Sequence, residues 1–418
     1  MSIPRVLRIT GVVVVLLLLA GALGVVAWGA WTVDRKVAEA QAHMVSRMDA
    51  FHARVEADAR EVGPDGPLGP VGRSANAGTF LNPRVTWRGW PAAVSAYRAT
   101  VPADVTPITI PPDVVMRLRG KGWEEAVEGT LAQDVDVGWL QGLSRFDHWD
   151  LDAESPVSAM PWPDPVRAPV PDYGLLLAAA RVRVLQGLRN GTPSRAATEL
   201  RHLARLLDST ETLVGTTMAV QVLRVESRAH ALAASRGIPA DPSWRPLDPK
   251  ELDRLQRLAQ AAMAYASLLA PPTHWSALDT LPVGRCAALS EGLWFALVFE
   301  PLLGDRLRDR YQALERSLEA SQGRCRLTLL RRAWRLSRAE KAELFRRNIC
   351  GAGPDQEQTA QDPGGCPSAW VSTHVPWIKE KVGMVLAAVA MPDPFGPYQA
   401  MSAPAEPPEP AGGDGPGR

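Results

Sequence analysis

From Ile9 to Trp31 the chain reads ITGVVVVLLLLAGALGVVAWGAW, 23 residues without a charge. At 1.5 Å per residue, a helix of that length covers the roughly 30 Å hydrocarbon core of a bilayer. Arg5 and Arg8 precede it, and Trp28 and Trp31 stand where an interfacial aromatic belt would lie. The stretch predicts a transmembrane anchor within residues 1–33, in contact with membrane lipid. Small-residue sites at Ala20-Gly21-Ala22 and Val25-Val26-Ala27 would admit a signal peptidase. The apolar run is longer than the roughly 7–15 residues of a signal-peptide core, so an uncleaved signal anchor is expected.

Positive charge does not orient this segment, because Arg35 and Lys36 follow it much as Arg5 and Arg8 precede it. Cysteine does. Cys286, Cys325, Cys350 and Cys366 all lie distal to the anchor, and an even count in an exported region reads as disulfides. The expected topology is single-pass, with the N-terminus cytoplasmic and the main body periplasmic. There is no C-x2-C pair and no His at ligand spacing near any Cys, so zinc is not expected. No other cofactor is implied.

Lys+Arg is 46 against Asp+Glu 45, so no charge excess points to nucleic acid or to a basic partner. Only six of the 46 are Lys; the Arg bias fits a GC-rich genome better than phosphate binding. The 37 prolines run well above the usual share of about 5%, and many fall between helical stretches, as in stiff connections.

After the anchor, residues 34–62 continue as a helix. Val37, Met44 and Phe51 repeat every seven residues, and Met48, Val55 and Val62 follow each by four, with Gln41 and Asp58 as polar interruptions. Two readings stay open: an amphipathic helix packed on its own domain, or a stalk that forms a homodimer through residues 37–62. A Pro/Trp-rich mixed segment spans 63–172. Within it, the prolines of the run VTPITIPPDVV (105–115) allow a short edge strand there at most. Trp123–Gln133 and Val137–Phe146 look like short helices, the second capped by Asp136. Residues 153–172, with six prolines, read as an extended connection.

From Tyr173 the pattern is helical. The spacing predicts Leu175–Arg189, Pro193–Leu207, and a third helix through Ala234, opened by a capping box at Asp208-Ser-Thr-Glu211. The apolar face of that third helix is Val214, Met218, Val222, Val225, Ala229 and Leu232. Asp248, Pro249 and Glu251 open another helix, carrying Leu252, Leu255, Leu258, Ala262 and Leu269. Further helices are expected near 284–299, 305–320 and 376–391, with a third capping box at Ser337-Arg-Ala-Glu340. The fold class is thus mostly α. The divisions fall at 173–245, a helical hairpin domain, 246–391, a C-terminal helical domain with two disulfides, and 392–418, a disordered tail.

The hairpin Leu175–Leu207 resembles one tetratricopeptide-type repeat: Gly191 in the turn, then Ala196, Leu200 and Leu203 on the second helix. It is similar, too, to helical hairpins of membrane-anchored proteins of GC-rich bacteria. It departs from the repeat on the first helix, where Val184 and Gly187 replace the small and aromatic residues. No second copy stands at a 34-residue period. The resemblance covers about a tenth of the chain and implies an all-helical packing mode.

Catalytic motifs are missing: no G-x-S-x-G, S-x-x-K set, H-E-x-x-H, P-loop, or G-x-G-x-x-G after a strand. The one chemically suggestive segment is Ser144–Glu154, with Asp147, His148, Asp150, Asp152 and Glu154 close together and Asp134 and Asp136 just before. Such a cluster suits a divalent cation or acid–base work, as in an envelope hydrolase. It lacks the spacing of a calcium loop. The plainer reading has Asp147 and Asp150 bonding Arg side chains or capping helices, with Phe146 and Trp149 anchoring the loop. Arg324–Arg347 carries eight Arg against Glu340 and Glu343. Its Arg side reads as solvated and its Leu/Trp side as buried. Two disulfides are expected. The sequence midpoint of Cys286 and Cys325 falls at the end of the connection Glu300–Gly304, so a bridge would close the open end of a hairpin. Cys350 and Cys366 bracket 15 polar, Gly/Pro-rich residues, where a bridge removes roughly 3 kcal/mol of unfolded-chain entropy. The leading function is a membrane-anchored, non-catalytic scaffold or interaction protein of the bacterial cell envelope, its protein partner unnamed by the sequence.

Overall fold

The computed structural model describes residues 51–63, 66–69, 74–119, 122–127, 132–160, 168–266, 281–291 and 325–328, with Gly72 and single residues at 31, 32, 35, 39, 337 and 340. Residues 9–30 of the anchor, most of 34–50, the 305–320 and 376–391 helices, Cys350, Cys366 and the tail 392–418 lie outside the described residues. Among the described residues no helix is long and apolar enough to cross a membrane.

The described chain is mostly helical. Its centre is four consecutive helices: α5 (Tyr173–Arg189), α6 (Pro193–Asp208), α7 (Leu213–Ser235) and α8 (Pro249–Ala266). Asp172 caps α5, its carboxylate accepting the Leu175 N–H at 3.2 Å. Gly191 makes the turn into α6 at φ +67, where a side chain would be strained, and Pro193 starts the new helix. The two helices run antiparallel and very close. A Cβ on Gly187 would sit 2.7 Å from that of Ala196. One turn further from the corner, Arg183 and Glu199 form a buried bidentate pair at 2.6 and 3.2 Å.

The same antiparallel order continues. Arg201 meets Glu226 between α6 and α7, and Gln221 meets Gln256 between α7 and α8. α7 packs on α5, α6 and α8 at once, so it has no single apolar face. Val222, Val225 and Ala229 are buried as expected, but so are Ala219, Val220 and Leu223, while Val214 is 48% exposed. Glu226 is buried in the middle of this helix, satisfied by Arg201 and by the Trp244 indole N–H at 2.9 Å.

Two of the three capping boxes form. Asp248 and Glu251 exchange backbone-to-carboxylate bonds at 2.8 Å each, and Ser337 and Glu340 do likewise at 2.7 and 3.3 Å. The third does not. Asp208 ends α6, and Thr212 opens α7 by accepting the Gly215 N–H at 3.0 Å. Glu211 sits at φ +59, outside any helix, and its carboxylate is used elsewhere.

The N-terminal half wraps this bundle. α1 (residues 51–62) buries Phe51, Val55 and Ala59, one per turn, in the chain's own core. Asp58, a polar interruption in the sequence pattern, is paired bidentately with Arg257 of α8 at 2.7 and 2.8 Å. Short helices α2 (Gly78–Leu81), α3 (Pro91–Arg98) and α4 (Pro112–Leu118) follow. Strand β1 (Trp87–Arg88) pairs antiparallel with β2 (Val170–Pro171); the proline-punctuated run 105–115 forms no strand, and its last residues enter α4. Trp123–Val127 and Gly138–Arg145 are 3₁₀ helices rather than α-helices. Short connectors tolerate that tighter winding. The N-cap of the second is Val137, and Asp136, one residue before it, accepts the Gly138 N–H at 2.8 Å in a local turn. Residues 153–160 are not extended but form tight turns, in which the Ser155 hydroxyl accepts the Val157 N–H and Val157 and Met160 are buried. Residues from Phe51 to Leu327 join one hydrophobic core.

Candidate functional site

The acidic segment singled out in the sequence lies against residues 74–82. Asp147 accepts N–H groups from Ser74 at 2.9 Å and Ala75 at 3.1 Å, and the His148 ring at 2.7 Å. These bonds hold its carboxyl below the usual carboxylate range, against the burial that opposes them. Asp150 accepts the Asp152 N–H at 2.9 Å, a local turn. Backbone bonds knit the two stretches together, with a parallel bridge between Asn76 and His148. Trp149 is fully buried and Phe146 stacks on Phe80 with ring centroids 5.6 Å apart. Asp147 and Asp150 thus bond backbone N–H groups of loops and turns, where the sequence suggests Arg side chains or helix ends as partners. Among the described residues, no three of these five side chains bring ligand atoms within 4.8 Å of one another.

The hub of this knot is a residue the sequence does not flag. Asn82 is completely buried. Its amide nitrogen donates to the Asp150 and Ala153 carbonyls, and its side-chain oxygen accepts the Trp149 indole N–H at 2.8 Å. Its backbone carbonyl takes the Trp87 indole N–H at 2.9 Å. Buried polar networks are worth most when complete, because each orphaned partner costs its own desolvation. Asn82→Ala should therefore lower stability by about 2–3 kcal/mol in urea unfolding. A loss under about 0.5 kcal/mol would mean that water replaces the amide freely.

A second cluster adjoins this knot at the corner between α6 and α7, where two C-terminal segments dock. Cys286, at the start of α9 (residues 285–291), is joined to Cys325 by a disulfide with an S–S distance of 2.02 Å, and Cys325 is completely buried. Cys350 and Cys366 lie outside the described residues. Glu211 reaches to within 4.8 Å of both sulfurs. With the sulfurs bonded to each other, no thiolate pair is present to ligate a metal. Instead, Glu211 accepts the backbone N–H groups of Arg326 and Leu327 at 2.5 and 2.6 Å. Arg326 is not on a solvated face. Its guanidinium donates to the carbonyls of Trp149 and Ser209, so it ties both clusters together.

Two more carboxylates serve the same corner. Asp208 accepts the Thr216 hydroxyl at 2.9 Å and a backbone bond from Gly284. Glu291, on α9, accepts the Leu213 N–H at 3.0 Å, one of the free donors at the start of α7. Dense surroundings push the Asp208 carboxyl up to about 6 and the Glu291 carboxyl up to about 7. Burial raises Glu211 too, against the pull of Arg326. Tyr173 is buried nearby, its hydroxyl 3.3 Å from that of Thr212. Burial, with Glu291's charge adding to it, lifts that phenol to about 12. Sequence spacing could not find this group: Asp208, Glu211 and Glu291 converge only through tertiary packing.

The chain matches no protein-family model, no curated protein and no solved structure. The arrangement itself defines a helical body with a carboxylate-and-disulfide clasp, in which acidic groups accept backbone N–H groups.

Proposed function

We propose that the chain is a membrane-anchored, non-catalytic helical scaffold or interaction protein of the bacterial cell envelope, held by the apolar stretch 9–31 with its N-terminus cytoplasmic and its body periplasmic. The observation that carries this reading is the buried Cys286–Cys325 disulfide, which suits an oxidising compartment. The use of Asp147, Asp150, Asp208, Glu211 and Glu291 as ties to backbone groups supports an architectural role. The α5–α6 hairpin, with Gly187 against Ala196, serves in this reading as a tetratricopeptide-like packing unit. The protein partner meets the exposed helical surface, where Met116 and Val214 stand 65% and 48% exposed. Because Phe51, Val55 and Ala59 are spent on the chain's own core, a homodimer through 37–62 would use the part of that segment before residue 51.

An alkaline phosphatase fused after residue 62 should be active. An inactive phosphatase there, with a cytosolic reporter active at the same position, would overturn the topology and remove the support that the disulfide gives. For the scaffold role, photo-crosslinkers at Met116 and Val214 in membranes should give a discrete protein adduct. No adduct from either position would count against it.

A further inference from the structure

A cavity of about 420 Å³ opens beside the acidic knot, between the loop before Ala75, the end of the Gly138–Arg145 helix and the last turns of α6. That volume falls within the range of small-molecule sites. Leu68, Phe146 and Leu206 give it an apolar wall, and Arg145, His202 and Arg205 a basic one.

The two arginines are held open. The Arg145 guanidinium lies 4.8 Å from the Phe146 ring centroid and 5.0 Å from that of Phe80. Arg84 covers Phe80 at 4.3 Å, so the rings form a platform with cations on it. An aromatic face fixes a guanidinium without neutralising it, which leaves its N–H edge available to an anion. Arg205 is exposed at the C-terminal end of α6. Among the described residues neither Arg145 nor Arg205 has a carboxylate partner within 4.0 Å.

Among the charged groups on the wall, two guanidinium groups stand against one carboxylate, so positive charge stays in excess. Asp147 is on the wall, yet its oxygens already take the Ser74 and Ala75 N–H groups and the His148 ring. Burial and the Arg205 charge push the His202 imidazole down, while hydrogen bonds to the Ser144 and Phe146 carbonyls pull the other way. Those hydrogen bonds let His202 fasten α6 to the cavity floor.

We infer that this cavity binds a small amphiphilic anion, its carboxylate or phosphate-monoester head on the guanidinium groups of Arg145 and Arg205 and its apolar body against Leu68, Phe146 and Leu206. Guanidinium groups suit both heads, because their paired N–H donors match two oxygens at once. This inference stands whether or not the chain is anchored in a membrane, so its failure and the failure of the scaffold reading are separate results.

The test is calorimetric titration of the full chain, in a non-ionic detergent, with phenyl phosphate, hexanoate and inorganic phosphate. Phenyl phosphate or hexanoate should bind saturably with a Kd below about 1 mM, and inorganic phosphate at least about tenfold more weakly. The better of the two organic probes identifies the head group, and either outcome supports the site. The R145Q/R205Q variant should bind at least about tenfold more weakly, since both charge-assisted contacts are gone. Ser144→Trp should lose binding by filling the cavity with every charge in place. Arg98→Gln, on α3, should change nothing. The inference is overturned if neither organic probe binds at about 10 mM. It is equally overturned if inorganic phosphate binds as tightly as both organic probes, or if the double variant and Ser144→Trp bind like the parent.

Discussion

With Cys286 and Cys325 both changed to alanine, the chain should lose about 4 kcal/mol of stability against the oxidised parent. The bridge joins residues 39 apart in sequence. On the loop-closure model, a cross-link of that span removes about 4 kcal/mol of conformational entropy from the unfolded chain. The folded state keeps other ties. Glu211 still holds the Arg326 and Leu327 N–H groups, and Arg326 still holds the Trp149 and Ser209 carbonyls. The variant should therefore fold, with the loss concentrated where the bridge acted. Urea unfolding of both proteins gives the magnitude, and hydrogen exchange gives the place. Protection should fall more at residues 325–328 than in α6, whose Leu200, Leu203 and Leu207 are fully buried. A loss under about 1 kcal/mol would show that the unfolded chain is not constrained by the bridge in the way the model requires. Uniform loss of protection would place the bridge in the folding of the whole body, not in docking.

What the sequence made legible here is local order. Asp248 and Glu251 sit three residues apart in front of an apolar run, and the structure makes both of their reciprocal bonds. Pro193 after Gly191 gave the α5–α6 corner because φ and the missing N–H are fixed by residue type alone. Asp208-Ser-Thr-Glu211 carries the same spacing and fails. The α6 helix runs on through Asp208, and the Glu211 carboxylate finds better donors in the N–H groups of Arg326 and Leu327, over a hundred residues away. A capping pattern records what a segment could do alone; here distant backbone outcompetes it. The same cause hides Asn82, Glu291 and Arg326. Each looks like an ordinary surface residue until its partners are brought to it. The α7 face is incomplete for a related reason: Met218 and Leu232 pack on the core with Val222, Val225 and Ala229, but Ala219, Val220 and Leu223 are buried as well. Helical periodicity finds one buried side, and α7 is enclosed by α5, α6 and α8.

The acidic segment Asp147–Glu154 shows the converse. Its density of carboxylates suggested chemistry, yet Asp147 and Asp150 close turns and loop contacts with backbone donors. The carboxylates with strongly raised pKa values lie at the other corner, where spacing gave no sign of them. Composition counts charges; only packing decides which of them are costly.

That cost sets the pH dependence. The body should be most stable on the acid side of neutrality and lose stability between about pH 4 and pH 7. Asp208 has an ordinary value of 3.8 and stands at about 6 in the fold, and Glu291 moves from 4.5 to about 7. A group raised in the folded state binds its proton more tightly there than in the unfolded chain. Its contribution is fully present below the unfolded value and is lost as pH rises through the folded one. Each carboxyl is then worth roughly 3 kcal/mol across that window, so the pair contributes on the order of 6 kcal/mol. Glu211, raised by the same burial, adds in the same direction. Asp147 opposes at the acid end: its folded value is depressed, so its stabilisation is lost as pH falls through that value. The optimum therefore lies near pH 4, above the window where Asp147 protonates. Urea unfolding midpoints at pH 4, 5, 6 and 7 measure the slope, and the variants assign it. Asp208→Asn with Glu291→Gln puts neutral amides where the fold favours neutral acids, keeps an acceptor for the Gly284 and Leu213 N–H groups, and should flatten the slope. If the double variant loses stability between pH 4 and pH 7 as steeply as the parent, the clasp is not what makes the fold pH-dependent.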